Sequence, residues 1–390
     1  MLPAAAATSK GIGAPPPQAS PSGVPSGVPK WRPHWPPHWL LPHWPCRVRE
    51  APTILRAMRI IALIARRCLW MPPTLFGLLL IVFTVSHVIP SDPARIMAGE
   101  NASAEQVAAI RHQFGLDQPL PTQFLRYVRD VIGGDMGTSL FTQRPVAEDL
   151  VARLPATMEL ALYALTLAVL IGVPLGVVAA LRRNSWLDHI VRVVTVAGLA
   201  MAAFWLAILL QLLFSMWLGL TPVQGRIDGW GPDPITGFFT VDAILRGDWE
   251  TLGEALRHLI LPTLTLALPA VATIVRFTRA GMINVMSSNF VFYLTAMGFP
   301  RRRIVWKYLL RGALIGTLTQ IGLIFGNLIA GAVVVETVFD WPGLGSFAVN
   351  SILHSDYNAV MSFTVFAGAV FILTNLAVDI AQTLLDPRAR

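Results

Sequence analysis

The side chains in this chain best suited to binding chemistry are three histidines and a cysteine near its start. Trp31 to Cys46 repeats the dipeptide His-Trp at His34, His38 and His43. Three imidazoles and the Cys46 thiol would make a four-ligand set for zinc. The prolines between them favour extended backbone, which does not converge ligands readily, so no metal is assigned there. Other chemistries are excluded by what is missing. The lysines are Lys10, Lys30 and Lys307, and none follows a glycine. The phosphate-binding loop G-x-x-x-x-G-K-[ST] is therefore absent, and ATP, if used, must be handled by another polypeptide. There is no H-E-x-x-H and no G-x-S-x-G elbow, so no catalytic residue is assigned. His87 and His258 fall near the ends of apolar stretches, where an imidazole at headgroup level needs no ligand role.

The elements around these residues are built for lipid. Apolar residues make up 54% of the chain, charged residues 13%, and the mean hydropathy is +0.58. The net charge of +8 comes largely from arginines at the ends of apolar stretches. Membrane topology accounts for them, and no nucleic-acid partner is expected. A bilayer crossing needs about 20 apolar residues. Stretches near Cys68–Ile89, Ala156–Leu181, Ile190–Leu218, His258–Met282, Gly312–Val335 and Ala359–Leu385 meet that length, which predicts an all-α membrane protein with six transmembrane helices. Arg59, Arg66 and Arg67 precede the first, and Arg182, Arg183 and Arg192 lie between the second and third. The 276–311 segment is strongly basic and Arg388 and Arg390 end the chain, whereas Glu336 to Asn358 has no Lys or Arg. The positive-inside rule then places both termini in the cytoplasm.

Four regions follow from this reading. Residues 1–57 hold 13 of the 30 prolines and no acid before Glu50, so a disordered extension is expected. Residues 58–89 form a lead-in and the first span. Residues 90–155 form a small external helical cap. Within the cap, Ser103 with Gln106 predicts a capping box, and Gly115 stops that helix after Phe114. A second helix is expected from Pro121 to Ile132 before Gly133-Gly134, and a third from Pro145 through Val151. Residues 156–390 carry the remaining five spans.

One break in the apolar pattern stands out. Ser287 to Arg311 is polar and basic, and Phe290 to Met297 within it can form a short helix stopped by Gly298-Phe299-Pro300. A short apolar helix held at the cytoplasmic surface has nothing of its own to bury against, so docking into another protein is expected, the alternative being an interfacial helix that lies on the headgroups. The docking face is assigned to Phe290, Val291, Phe292 and Leu294. In the fifth span Gln320 and Asn327 lie seven apart and share a face, with Thr319 adding polar character, so this face either lines a translocation path or hydrogen-bonds and packs against other helices. Gly312/Gly316 and Gly322/Gly326 form small-xxx-small pairs for close helix packing.

Several separate motifs resemble one family. They are IARRCLWMPPTLFGLLLIVFTVSHVIPSDPARIMAG from Ile64, FGLDQPL from Phe114, RPVAEDL from Arg144, VVVETVFDWPGLG from Val333, the pair Asp356-Tyr357, and LLDPRAR at the end. Together they are similar to the dipeptide, oligopeptide, glutathione and nickel branch of binding-protein-dependent ABC transporter permeases. The resemblance implies a multi-pass subunit of the bacterial inner membrane, paired with a second permease and two ATP-binding subunits that hold ATP and magnesium. It also implies an extracytoplasmic substrate-binding protein, received on external loops that include Trp341, Pro342, Gly343, Asp356 and Tyr357. The family's coupling motif, EAA-x3-G-x9-I-x-L-P, falls on Phe292, Tyr293, Leu294, Gly298, Tyr308 and Leu310, with Ala296 similar to the branch's TARAKG form. Ser288 and Asn289 stand where relatives often carry acids. On this resemblance the coupling element spans about 287–303 and includes Arg301, Arg302 and Arg303.

Two other classes lack their required residues. An ion-gradient transporter would need acid relays near span centres or an inverted repeat of broken helices, and neither is evident. A membrane enzyme would need the nucleophile or metal constellations missing above. The reading is a permease subunit of an ATP-driven peptide importer, with nickel or another small solute as the alternative cargo.

Overall fold

The computed structural model describes residues 53–88, 103–113, 117–139, 141–229, 231–232, 234–354 and 356–385. The His-Trp tract and Cys46 lie outside the described residues, as do Gly115 and the last five residues. Among the described residues the regular structure is helical, apart from one isolated antiparallel bridge between Thr138 and Pro145.

Helix α1 spans Thr53–Val88 and takes in Pro72 and Pro73. It starts inside the segment assigned to the 1–57 extension, so that boundary moves to Thr53. Helix α2, Ala104–Gln113, opens on the expected capping box: Ser103 N donates to Gln106 Oε1 at 2.9 Å, and Gln106 N to Ser103 Oγ at 3.3 Å. Helix α3, Leu120–Ile132, ends at Gly133, with Gly134 at φ +82°, the left-handed turn that glycine permits. Phe124 of α3 meets Phe76 and Phe83 of α1 edge-on, with ring centroids 5.6 and 5.3 Å apart. The cap helix therefore lies along the apolar part of α1.

Helix α4 runs unbroken over Val146–Leu181. The third cap helix and the second span are thus one element, and the expected boundary at 155/156 falls inside it. Glu148 and Asp149 in its first turn favour that start, and Pro155 is carried within the helix. Helices α5, Trp186–Ala200, and α6, Ala203–Leu210, replace the expected straight third span. α6 continues as a π-helical stretch, Gln211–Trp217, and the two halves are bent by 105°. Met201 and Ala202 take extended backbone at the break, although neither residue type disfavours helix. After the short helix α7, Phe239–Arg246, helix α8 covers Trp249–Met286, with Asp248 Oδ1 accepting from Thr251 N at its start. It begins nine residues before the expected His258, because the Asp248 cap starts the helix ahead of its apolar stretch. Helices α9, Asn289–Ala296, α10, Leu310–Val338, α11, Leu344–Leu353, and α12, Tyr357–Leu385, complete the fold.

Among the described residues four helices are long and apolar enough to cross a membrane, or five if the bent α5–α6 pair is one span. The apolar part of α1, Leu69–Val85, is shorter than a full span, so among the described residues the expected count of six is not reached by length and composition.

α4 and α8 form the central crossing, and α10 packs on both. Small residues make this crossing close. A Cβ on Gly172 would stand 2.8 Å from Ile274 Cγ2, and one on Gly176 would stand 2.7 Å from Thr278 Cβ. On α10 the expected glycine pairs divide. Gly312 lies against Val285, and a Cβ on Gly326 would meet the Phe371 ring at 2.9 Å, but Gly316 faces open space. Gly326→Leu is expected to destabilise the chain by about 1–3 kcal/mol. Gly316→Leu should leave its own fold unchanged, and thermal unfolding of both variants in detergent checks the contrast.

Candidate functional site

The segment expected to couple, 287–303, is a short helix between two turns at the end of the core. Ser288 precedes α9 in extended backbone, with its Oγ donating to Val285 O at 2.7 Å. After Ala296, Gly298 at φ +76° turns the chain, and Phe299 N donates to Leu294 O at 3.2 Å. Pro300 starts a helical turn, Arg301–Arg303, that passes into a π-helical stretch, Ile304–Leu309, and so into α10. The three arginines are exposed, and Arg302 and Arg303 rim a hollow with Pro300 and Trp306.

One face of α9 is spoken for. Leu294, 7% exposed, packs with Val177 and Ala180 of α4, Met282 of α8, and Ile304, Val305 and Leu309 of the π-helical stretch. Val291 packs against the same cluster, and Phe290 meets Tyr308 edge-on at 5.8 Å. Val291 and Leu294 therefore do not belong to the docking face that the sequence assigned to them. Their spacing of three residues puts them together on the inner side of the helix. The outward face is Phe292, Tyr293, Ala296 and Met297, with the three large side chains 73%, 64% and 72% exposed. Exposed large apolar groups contiguous on one short helix mark an interaction site.

Just above this element a buried ion pair ties α5 to α8. Arg279 donates to Asp188 bidentately, Nε to Oδ1 at 2.7 Å and Nη2 to Oδ2 at 2.8 Å. Asn184 N adds a third bond to the carboxylate at 3.0 Å. α9 is thus clamped to α4, α8 and α10, and α8 in turn to the bent pair. A push on α9 acts on the whole bundle rather than on a loose loop.

The far end of the bundle holds a second buried polar framework, and it revises the expected external loop. Trp341 is fully buried and donates its indole N–H to Ala156 O at 3.0 Å. A Cβ on Gly343 would collide with the Glu336 carboxylate. That carboxylate accepts from Thr157 Oγ1 at 2.6 Å and from Gly345 N and Ser346 N at 2.6 and 3.2 Å. It therefore sits on the N-terminus of α11, where the helix dipole favours an anion. Asp356, also buried, accepts from Ser139 Oγ at 2.6 Å and caps α12 through Ala359 N at 3.1 Å. Tyr357 opens α12. Of the assigned loop residues Pro342 is exposed, but Trp341, Gly343 and Asp356 are internal braces and not an open landing surface.

Beside them Glu159 of α4 pairs with Arg226. Arg226 Nε and Nη2 both donate to Glu159 Oε2, the former at 3.1 Å, and Nη2 reaches Gly237 O at 2.9 Å. Thr240 donates both its N–H and its hydroxyl to Glu159 Oε1, at 2.9 and 2.6 Å. The guanidinium lies 3.7 Å over the Phe239 ring. Burial pulls the Arg226 guanidinium below its usual value, with Glu159 pulling the other way. Nothing in the sequence paired residues this far apart.

Asp242 fixes the turn that carries Gly237. Burial would raise its carboxyl, but bonds from Thr236 Oγ1 and the 235–237 amides outweigh that and hold it below the usual range. A depressed folded value means the cap contributes fully above the ordinary aspartate value of about 3.9 and is lost as the pH falls through the lower folded one. At neutral pH, Asp242→Asn should speed hydrogen exchange at the 235–237 amides, with little change elsewhere.

The candidate path residues lie on the outward side of α10. Gly316, Thr319, Leu323, Asn327, Ala330 and Val334 are exposed at helical spacing, with Gln320 half-buried beside them. Among the described residues no other element covers this face.

A bundle of long apolar helices with a short helix clamped to one end is the architecture of an integral membrane protein. Residues 172–390 match the family of binding-protein-dependent transport system inner membrane components, and residues 60–161 match the N-terminal region of the same kind of component. A probable D,D-dipeptide transport system permease protein of Escherichia coli is 45% identical over 329 residues, covering 84% of this chain and 97% of that protein. A di/tripeptide transport system permease protein of Pseudomonas aeruginosa is 40% identical, over 85% of this chain and 99% of the relative. A glutathione transport system permease protein of Salmonella paratyphi A is 37% identical, over 84% and 98%. The chain belongs to the binding-protein-dependent transport system inner membrane component family, the permeases of ABC importers.

Proposed function

We propose that this chain is one of two permease subunits in an ATP-driven importer of short peptides or glutathione-like solutes. Two ATP-binding subunits supply the energy, with their ATP and magnesium, and a substrate-binding protein delivers cargo from outside. The observation that carries the reading is α9, which offers Phe292, Tyr293 and Met297 outward while Leu294 locks it to three other helices. Relatives named for dipeptide, di/tripeptide and glutathione transport support the cargo class.

Topology follows from the arginines. With α1 taken as a tilted or thinly covered crossing, the chain spans six times and both termini are cytoplasmic. α9 then faces the cytoplasm, and α2, α3 and the exposed end of α11 at Ile352 and Leu353 face the binding protein. The exposed face of α10 meets the second permease, and Thr319, Gln320 and Asn327 line the path between them. ATP binding in the partners moves α9, and the bundle shifts between outward-open and inward-open states through their differential affinity for the two.

Copurification tests the assembly. A tagged chain, expressed with its neighbours, should retain both ATP-binding subunits, and its cognate binding protein should release a short peptide on mass spectrometry. A chain that purifies alone, or a binding protein loaded with a non-peptide solute, would overturn the assembly or the cargo respectively.

A further inference from the structure

Sequence alone assigns no metal and makes His258 an ordinary interfacial imidazole. The structure places it two turns inside α8, 5% exposed, with two acids against it. Glu254 stands four residues earlier on the same helical face, and Asp228 comes from the loop after the bent pair. One ligand atom from each lies within 4.8 Å of the other two.

The imidazole is set up as a ligand. Its Nδ1 faces two backbone carbonyls, Gln224 O at 3.1 Å and Gly225 O at 3.2 Å. Carbonyls only accept, so Nδ1 carries a proton, which leaves Nε2 as the ring atom that can offer a lone pair to a metal. Nε2 is buried and has no hydrogen-bond partner, with Asp228 Oδ2 3.5 Å away. A ligating histidine that donates its other N–H to a backbone carbonyl is the usual outer-shell arrangement of a metal site. Glu254 is oriented as well, since its Oε1 accepts from Asp228 N at 2.9 Å. That bond holds the loop carboxylate next to the helix.

The geometry points to a divalent metal site formed by His258 Nε2, Glu254 and Asp228, with zinc as its ion. One imidazole nitrogen and two carboxylates suit zinc, and three protein ligands leave a fourth position for water. Calcium and magnesium prefer all-oxygen sets, which the histidine breaks. Asp228 is largely exposed, so the ion enters from solvent. Once bound, it fastens to α8 the loop that carries Arg226, whose Gly225 N also donates to Phe339 O at 2.9 Å after α10. The site is independent of the transport cycle proposed above.

The test uses the full chain in detergent, stripped with chelator and titrated with zinc chloride by calorimetry and with cobalt chloride by visible absorption. A parallel chain with His34, His38, His43 and Cys46 all replaced by alanine removes the other candidate ligands. One ion per chain is expected in both, with affinity falling about tenfold or more in His258→Gln and in Asp228→Asn. Because Asp228 is exposed, its variant keeps the fold and guards against a misfolded His258 variant. Zinc should also slow hydrogen exchange in the 224–229 loop. No stoichiometric binding to the parent chain would overturn the site. So would binding that both variants leave intact, or binding that vanishes with the N-terminal tract.

Discussion

Arg226→Leu is expected to destabilise the protein by about 3–5 kcal/mol, the cost of stranding one member of a buried ion pair. Glu159 would keep the two bonds from Thr240 but lose its countercharge. The same substitution frees Gly237 O from its donor and removes the cation from the Phe239 ring, so the loop after the bent pair loses its anchor. Replacing both partners with apolar residues of similar volume should recover much of the loss, since buried pairs contribute less than their absence from one side costs. Thermal unfolding of the single and double variants in detergent decides it. A single variant as stable as the parent would show that the pair is solvated and not part of the core.

The second large effect separates two faces of one helix. Phe292→Asp with Tyr293→Asp alters only outward side chains, so the chain should insert and fold normally. Docking to the ATP-binding subunits should fail, because each large apolar contact is worth about 1.5–3 kcal/mol and the new charges would be buried unpaired. Leu294→Asp should do the opposite. Its side chain lies among Val177, Met282 and Ile304, so the charge strikes the core of the chain itself. The expected pattern is a well-folded permease without its ATP-binding subunits in the first case, and a poorly folded one in the second. Normal copurification of the double variant would mean that α9 is not the docking helix.

What could be read from the sequence was mostly local. Ser103 with Gln106, the stop at Gly133-Gly134 and the turn at Gly298 are set by neighbours within a few residues, and each is where the spacing put it. The polar break after Ser287 gave the position of α9. Its inner and outer faces were not legible, because Phe292 and Leu294 are equally apolar and only the ends of α4, α8 and α10 distinguish them. The bend at Met201-Ala202 carries no proline or glycine, and tertiary packing sets it against local propensity. Pro155 looked like a boundary, yet α4 continues through it. The conspicuous Trp341-Pro342-Gly343 run read as a surface, but its indole and glycine fit a core built from Ala156 and Glu336, 185 and 7 residues away in sequence. Long-range partners of this kind, like Glu159 with Arg226, have no signature along the chain.

The most direct test of the account is uptake by the reconstituted importer. The permease pair, its ATP-binding subunits and the loaded binding protein would be placed in proteoliposomes and supplied with labelled dipeptide. Accumulation should require ATP, be blocked by vanadate and be absent in the Phe292→Asp, Tyr293→Asp variant. Uptake that continues without nucleotide and collapses when the ion gradient is dissipated would contradict it.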